Sequence, residues 1–308
     1  MSVYTNLENK DVKKIVSQYD IGILKSYKGI SDGITNTNYF LNTSKGKYVI
    51  TIFEDIKKAK VIKYLKLMNY FSEKGLCSPE IILTKKSEIL TNVNDKPCSI
   101  MQRLEGKTVE KTNKELCESL GSTIGQFHTS AVMHKINIRN SRDIKWIHKS
   151  IQRVSKHIKP NQLKLLIKSS KVFEKLFNSN LPSGVIHSDL FRDNVLARKN
   201  NVTGIIDYYY SFTGPFIYEL AVIINDWCVN KDGSVNDIKR RALLGGYNLA
   251  REITVYENKQ LNNAMIAASL RFYLSRLVDM IFPKVGAITH IKDPSVFENI
   301  LINRFKFK

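Results

Sequence analysis

Hydrophobic and polar positions along the chain change rhythm near residue 105. Before it, short apolar runs of β type alternate with turns. Asn38-Tyr39-Phe40-Leu41 is one; Lys47 to Phe53 follows after the turn Thr43-Ser44-Lys45-Gly46; Ile81-Ile82-Leu83 and Cys98-Ser99-Ile100-Met101 come later. One helix interrupts them: Val61, Leu65, Met68 and Phe71 recur at helical spacing, and Gly75 follows where a C-terminal cap belongs. After residue 105 the helical period dominates. Thr112 with Glu115 predicts a capping box, with Leu116, Leu120, Ile124 and Phe127 as the stripe behind it. Ile144, Ile147, Ile151, Val154 and Ile158 form a second stripe, and Leu163, Leu166, Phe173 and Phe177 a third, after Pro160. Residues 184–212 break that rhythm, with Gly184-Val185-Ile186 and Gly204-Ile205-Ile206 reading as strands around a polar loop. Helical pattern returns at Ile217, Leu220, Ile224 and Trp227, and again at Leu261, Met265, Ala268 and Phe272. The pattern predicts an α+β protein of two lobes flanking a cleft: a small antiparallel-sheet lobe, then a larger helical lobe carrying one loop-rich island.

Composition narrows the class. With 43% hydrophobic and 25% charged residues among 308, the chain can bury a full core and is not a disordered tail. No uncharged apolar run of about 18 residues exists, which excludes a spanning helix, and the first residues lack the apolar region of a secretory signal. Cys77, Cys98, Cys117 and Cys228 form no CxxC, arguing against a zinc site or disulfide framework and predicting a reducing, cytoplasmic setting. The balance of 48 Lys+Arg against 28 Asp+Glu leaves a net charge of +20. Its densest runs are scattered pairs (Lys13-Lys14, Lys57-Lys58, Lys85-Lys86, Arg240-Arg241), which does not describe a nucleic-acid surface. Nucleotide phosphates are the anionic partner that fits better. No sustained heptad marks an oligomer interface, so oligomeric state is not readable.

The island carries the chemistry. It reads Gly184-Val-Ile-His187-Ser-Asp189-Leu-Phe-Arg192-Asp-Asn194-Val-Leu, and then Gly204-Ile-Ile-Asp207-Tyr-Tyr. If the runs flanking the turn at Lys199-Asn200-Asn201 pair as a hairpin, Asp207 returns beside Asn194. Phosphoryl transfer needs this arrangement: one carboxylate (Asp189) takes the proton of an attacking hydroxyl, while an amide oxygen (Asn194) and a second carboxylate (Asp207) hold Mg²⁺. His187 suits a role in holding the loop backbone, and Asp193 that of a turn or cap residue.

These residues resemble a known family. Segments 185–196, 204–210 and 218–228, together with Tyr19-Asp20, Asn36-Thr37-Asn38-Tyr39-Phe40, Arg271 to Leu277 and Asp293-Pro294, are similar to the aminoglycoside-phosphotransferase/choline-kinase-like superfamily, and most of all to its homoserine kinases. The resemblance runs nearly end to end. It implies a protein-kinase-like fold with residues 1–101 as nucleotide-binding lobe, 102–106 as hinge and 107–308 as catalytic and substrate lobe. It also implies ATP- and Mg²⁺-dependent phosphorylation of the L-homoserine hydroxyl in threonine synthesis, with Asp189 as catalytic base and Asn194 and Asp207 on the metal. Choline, ethanolamine, an aminoglycoside or a methylthio-sugar are the alternative acceptors, and a catalytically silent binding module is the reading from another class. No G-x-x-x-x-G-K-[ST] occurs, which excludes the unrelated small-molecule kinase fold.

The chain departs from the family pattern in its first lobe. The phosphate-covering loop, 29–38, offers Gly29, Gly33, Thr35 and Asn36 rather than G-x-G-x-x-G. Thr51 stands where many kinases place a lysine, so the usual Lys–Glu clamp has no assignment; Lys47 or Asn and Thr donors are the substitutes. In the hinge, Gln102 to Leu104 are expected at adenine. For a zwitterionic acceptor, Arg192, Arg271 and Arg276 are candidates for the carboxylate and Asp226 for the ammonium.

Overall fold

A computed structural model describes residues 5–30, 36–133, 136–283 and 292–307. Contacts divide the chain into two units, with the break after Glu105. The first holds α1 (Asn9–Val16), β1 (Leu24–Ile30), β2 (Thr37–Thr43), β3 (Lys47–Ile52), α2 (Lys58–Glu73), β4 (Ile81–Ile82), β5 (Thr91–Val93) and β6 (Lys96–Gln102). Its antiparallel sheet runs in the order β1-β2-β3-β6-β4, with β5 on β6. The alternation of β2 is visible in its burial: Tyr39 and Leu41 go to a core shared with Val12, Ile15, Ile50, Ile52 and Ile100. α2 ends as its glycine predicts. Gly75 has φ 74°, and the N–H groups of Gly75 and Leu76 return to the carbonyls of Ser72 and Phe71 at 2.9 and 3.1 Å.

The second unit contains β7 (Lys107–Thr108), α3 (Lys114–Val132), α4 (Ile144–Val154), α5 (Pro160–Phe177), β8 (Ser183–Ile186), β9 (Val195–Arg198), β10 (Asn201–Ile205), β11 (Phe212–Pro215), α6 (Phe216–Trp227), α7 (Asp237–Asn248), α8 (Val255–Ile281) and α9 (Pro294–Lys306). β9 and β10 form the expected hairpin, with β7 on its outer edge, whereas Gly184-Val185-Ile186 pairs with β11. The second helical stripe stops at Val154, and Ile158 lies beyond it. The cap of α3 also differs from expectation. Asn113 is the capping residue, accepting from the Leu116 N–H at 2.8 Å, while Thr112 sits one residue too early and donates instead to the Trp227 carbonyl. α3 and α7 cross with backbones touching: a Cβ on Gly121 would stand 2.0 Å from the Leu243 oxygen, and one on Gly246 2.1 Å from the Glu118 oxygen. α6 is almost wholly buried among these helices. Among the described residues no helix is long and apolar enough to cross a membrane.

Candidate active site

The loop between β8 and β9 takes its shape from α6. Glu219, in the first turn of that helix and 2% exposed, accepts the backbone N–H groups of His187 (2.9 Å) and Ser188 (2.5 Å). It also accepts from His128 Nε2 at 3.2 Å. Burial alone would raise this carboxyl, but His128 and the backbone donors hold it below its ordinary value. Burial in turn pushes His128 and His187 down, so both rings are neutral. His187 then ties two segments: its Nε2 donates to the Ile206 carbonyl at 2.8 Å, and its Nδ1 accepts the Asp189 N–H at 3.3 Å. Two turns further along α6, the Asp226 carboxylate accepts the Arg192 N–H at 2.9 Å, and the Trp227 indole donates to the Leu190 carbonyl at 3.1 Å. One helix thus grips the loop at both ends.

Asp189 projects from the gripped loop. Its Oδ1 accepts from Arg271 Nη1 at 3.1 Å and its Oδ2 from Asn194 Nδ2 at 3.2 Å; the same Nδ2 donates to the Asp189 carbonyl at 2.8 Å. That orientation leaves Asn194 Oδ1 as the acceptor of the amide. The hairpin brings the third member in: the Ile206 N–H donates to the Asn194 carbonyl at 3.0 Å, and Asp207 follows at once. Ser188 and Asp207 both adopt the left-handed conformation, at φ 66° and 65°, which few non-glycine residues do. Asp207 Oδ1 is buried with no hydrogen-bond partner. Burial first, and then the charge of Asp189, push its carboxyl up to about 7. An orphaned buried carboxylate oxygen that feels the charge of a second carboxylate, in a segment bonded to Asn194, suits a cation. The donor set, the Asn194 amide oxygen and the Asp207 carboxylate, is all hard oxygen. This fits Mg²⁺, which takes few protein ligands and keeps several waters.

The expected acceptor ligands are distributed differently from one another. Arg271 is 6% exposed and reaches Asp189 from α8, its guanidinium lying over Phe272 (3.8 Å) and Tyr210 (5.2 Å). Arg192 and Asp226 meet each other in a fork, Nε to Oδ2 at 3.1 Å and Nη2 to Oδ1 at 3.2 Å, with Nη1 on the Glu110 carbonyl. Asp226 is largely enclosed, while the Arg192 side chain stays 41% exposed. Arg276 lies over Phe297 at 4.6 Å and donates to the Asp293 carbonyl at 2.9 Å.

In the first unit, Gly29 sits within β1 opposite Tyr39 and Asn36 is buried just before β2, while Gly33 and Thr35 lie outside the described residues. The N–H groups of Gln102 and Arg103 are engaged by the carbonyls of Glu80 (2.8 Å) and Lys47 (3.2 Å). Thr51 is buried and donates to Asn38 Oδ1 at 2.7 Å. A partly buried lysine–glutamate pair of this unit comes from residues that sequence reasoning passed over. Lys96 Nζ is 2.5 Å from Glu54 Oε2, and Thr5 and Thr37 donate to Oε1. Glu219 was missed likewise, although an acid in the first turn of an otherwise apolar helix is a legible signal.

Comparison with known proteins gives the chain its family. Residues 26–253 match the phosphotransferase enzyme family. A homoserine kinase of Methylobacillus flagellatus is 35% identical over 302 residues, covering 98% of this chain and 94% of the relative. One from Neisseria meningitidis serogroup B is 34% identical, covering 98% and 99%. Among solved structures, an amicoumacin kinase in complex with AMP-PNP, Ca²⁺ and its antibiotic superposes with a TM-score of 0.73 at 12% identity, over 97% of this chain and 93% of that one. The fold is that of the small-molecule kinases.

Proposed function

The chain belongs to the phosphotransferase enzyme family and, within it, to the homoserine kinases; from that membership we propose that it transfers the γ-phosphoryl group of ATP to the side-chain hydroxyl of L-homoserine. The products are ADP and O-phospho-L-homoserine, a step of threonine biosynthesis. The observation that carries this reading is the near-full-length likeness to homoserine kinases in a chain whose loop presents Asp189 next to Asn194, with Asp207, one carboxylate oxygen of which has no partner, following on the hairpin.

In this reading Asp189 accepts the hydroxyl proton as the new O–P bond forms and the bond from the γ-phosphorus to the ADP oxygen breaks. Asn194 orients Asp189 through Nδ2, and its Oδ1, with the Asp207 carboxylate, would hold Mg²⁺. A bound Mg²⁺ supplies positive charge against the β- and γ-phosphates. We assign the nucleotide to residues 1–101, with Gly29, Gly33, Thr35 and Asn36 toward phosphate, and residues 102–106 to the hinge. There Gln102 and Leu104 face adenine. Residues 107–308 carry catalysis and the acceptor, whose carboxylate is met by Arg271. An ADP-release assay with homoserine, coupled to identification of the phosphomonoester, tests the reading: O-phospho-L-homoserine formed in step with ADP is expected. ADP release only with choline, ethanolamine, an aminoglycoside or a methylthio-sugar would replace the substrate and keep the reaction class.

A further inference from the structure

A second arginine faces the same place as Arg271, and nothing in the reaction described so far uses it. Arg142 stands just before the Asp143 cap of α4, with its backbone N–H fixed on Asn140 Oδ1 at 2.8 Å. Its guanidinium packs over Trp146 at 4.6 Å and over Tyr210 at 5.8 Å. Arg271 lies over the same Tyr210 ring at 5.2 Å. That ring is tied to the catalytic loop, because Ser188 Oγ donates to the Tyr210 carbonyl at 2.8 Å. Two guanidinium groups therefore flank one aromatic residue that is anchored one position from Asp189.

The electrostatics of the pair are incomplete. Burial, and the like charge of Arg271, both disfavour the Arg142 cation, and its Nε is buried with no hydrogen-bond partner. Arg271 has Asp189 as counterion; Arg142 has a hydrogen bond with Tyr210 and the attraction of the exposed Asp279. A half-buried guanidinium whose Nε is buried without a partner calls for an acceptor, and the fork geometry of arginine matches a carboxylate. Homoserine brings one. With its hydroxyl at Asp189, its carboxylate carbon lies about 5 Å away in an extended conformer, a few C–C bonds further on. That length runs from Asp189 toward Arg271 and the Tyr210 ring it shares with Arg142.

We propose that Arg142, acting with Arg271, binds the α-carboxylate of the acceptor and makes the enzyme discriminate an amino acid from the corresponding amino alcohol. This rests on the homoserine reading. The test compares L-homoserine with 3-aminopropan-1-ol, which keeps the hydroxyl and ammonium and lacks the carboxylate, in wild type, Arg142→Gln and Arg142→Lys. In Arg142→Gln the KM for homoserine rises about a hundredfold with kcat within about threefold, while KM for ATP and kcat/KM for aminopropanol stay near wild type. Arg142→Lys, which keeps the charge and the fold but loses the fork, shows the same selectivity at about a tenfold rise, and serves if the glutamine variant does not fold. Equal losses on both acceptors, a rise in KM for ATP instead, or an unchanged lysine variant overturns the role of Arg142 and leaves the homoserine reading standing. Failure of the wild type itself to phosphorylate homoserine overturns the substrate reading, and this inference with it.

Discussion

Asp189 meets a different donor on each oxygen, Arg271 on one and Asn194 on the other, so its orientation is set before any substrate arrives. An asparagine there keeps the shape and accepts one of those bonds, but it cannot take a proton from the attacking hydroxyl. Asp189→Asn is expected to lower kcat about 10³-fold with an unfolding midpoint close to wild type, measured by ADP release and thermal denaturation; near-normal turnover contradicts the role. The trio was legible because its members are close in sequence and the Lys199–Asn200 turn closes a short hairpin, so spacing alone returns Asp207 beside Asn194. Charged residues far apart in sequence were not legible in the same way. Arg192 reads as a substrate ligand from sequence, which carries no sign of the fork it makes with Asp226, 34 positions away. Glu54 and Lys96, 42 apart, gave no sign of their pairing. Partner choice over such separations depends on which helix or strand comes alongside, and that is tertiary information.

α6 is the element that converts folding into catalytic geometry. Its apolar faces bury it among other helices; Glu219, Asp226 and Trp227 are turned onto the loop 187–192, while Asn225 bonds Met265, Ser269 and Arg304. Glu219→Gln removes the charge and replaces an acceptor oxygen with a donor facing backbone N–H groups. It is expected to cost about 2–3 kcal/mol in urea denaturation and to lower kcat through the displaced loop; a loss below about 0.5 kcal/mol would mean that the loop holds itself. Elements with a strong apolar period, such as α2, α3 and α8, were readable from spacing. α1 was not, since its apolar content is little more than Val12, Ile15 and Val16 on eight residues. β1 was not either, because an edge strand reading Leu-Lys-Ser-Tyr-Lys-Gly-Ile shows no alternation. The cap of α3 was misplaced by one residue because Thr112 and Asn113 are both good capping residues, and the choice was made by the Trp227 carbonyl.

At the scale of the whole molecule, the net charge of +20 is distributed in scattered pairs, while the chemistry rests on buried acids and neutral histidines. This sets the pH dependence of stability. His128 and His187 have folded-state pKa values below 6.5, so below that pH the unfolded chain binds protons that the folded chain refuses, and stability falls as pH falls. Glu219, also depressed, adds a loss of the same sign below its unfolded value of 4.5, as pH falls toward its folded one. Urea midpoints taken from pH 7.5 down to pH 5.5 should therefore decline, by up to about 1.4 kcal/mol per pH unit for each histidine; a flat or rising profile contradicts two buried neutral rings. The function itself is tested most directly by internal competition. ATP, Mg²⁺ and equal concentrations of L-homoserine, choline, ethanolamine, an aminoglycoside and a methylthio-sugar are incubated with the enzyme, and the phosphorylated products are separated by mass, so that their ratio reads the ratio of kcat/KM values. The account predicts O-phospho-L-homoserine in about hundredfold excess or more over every other product. Predominance of any other phosphorylated acceptor would contradict it.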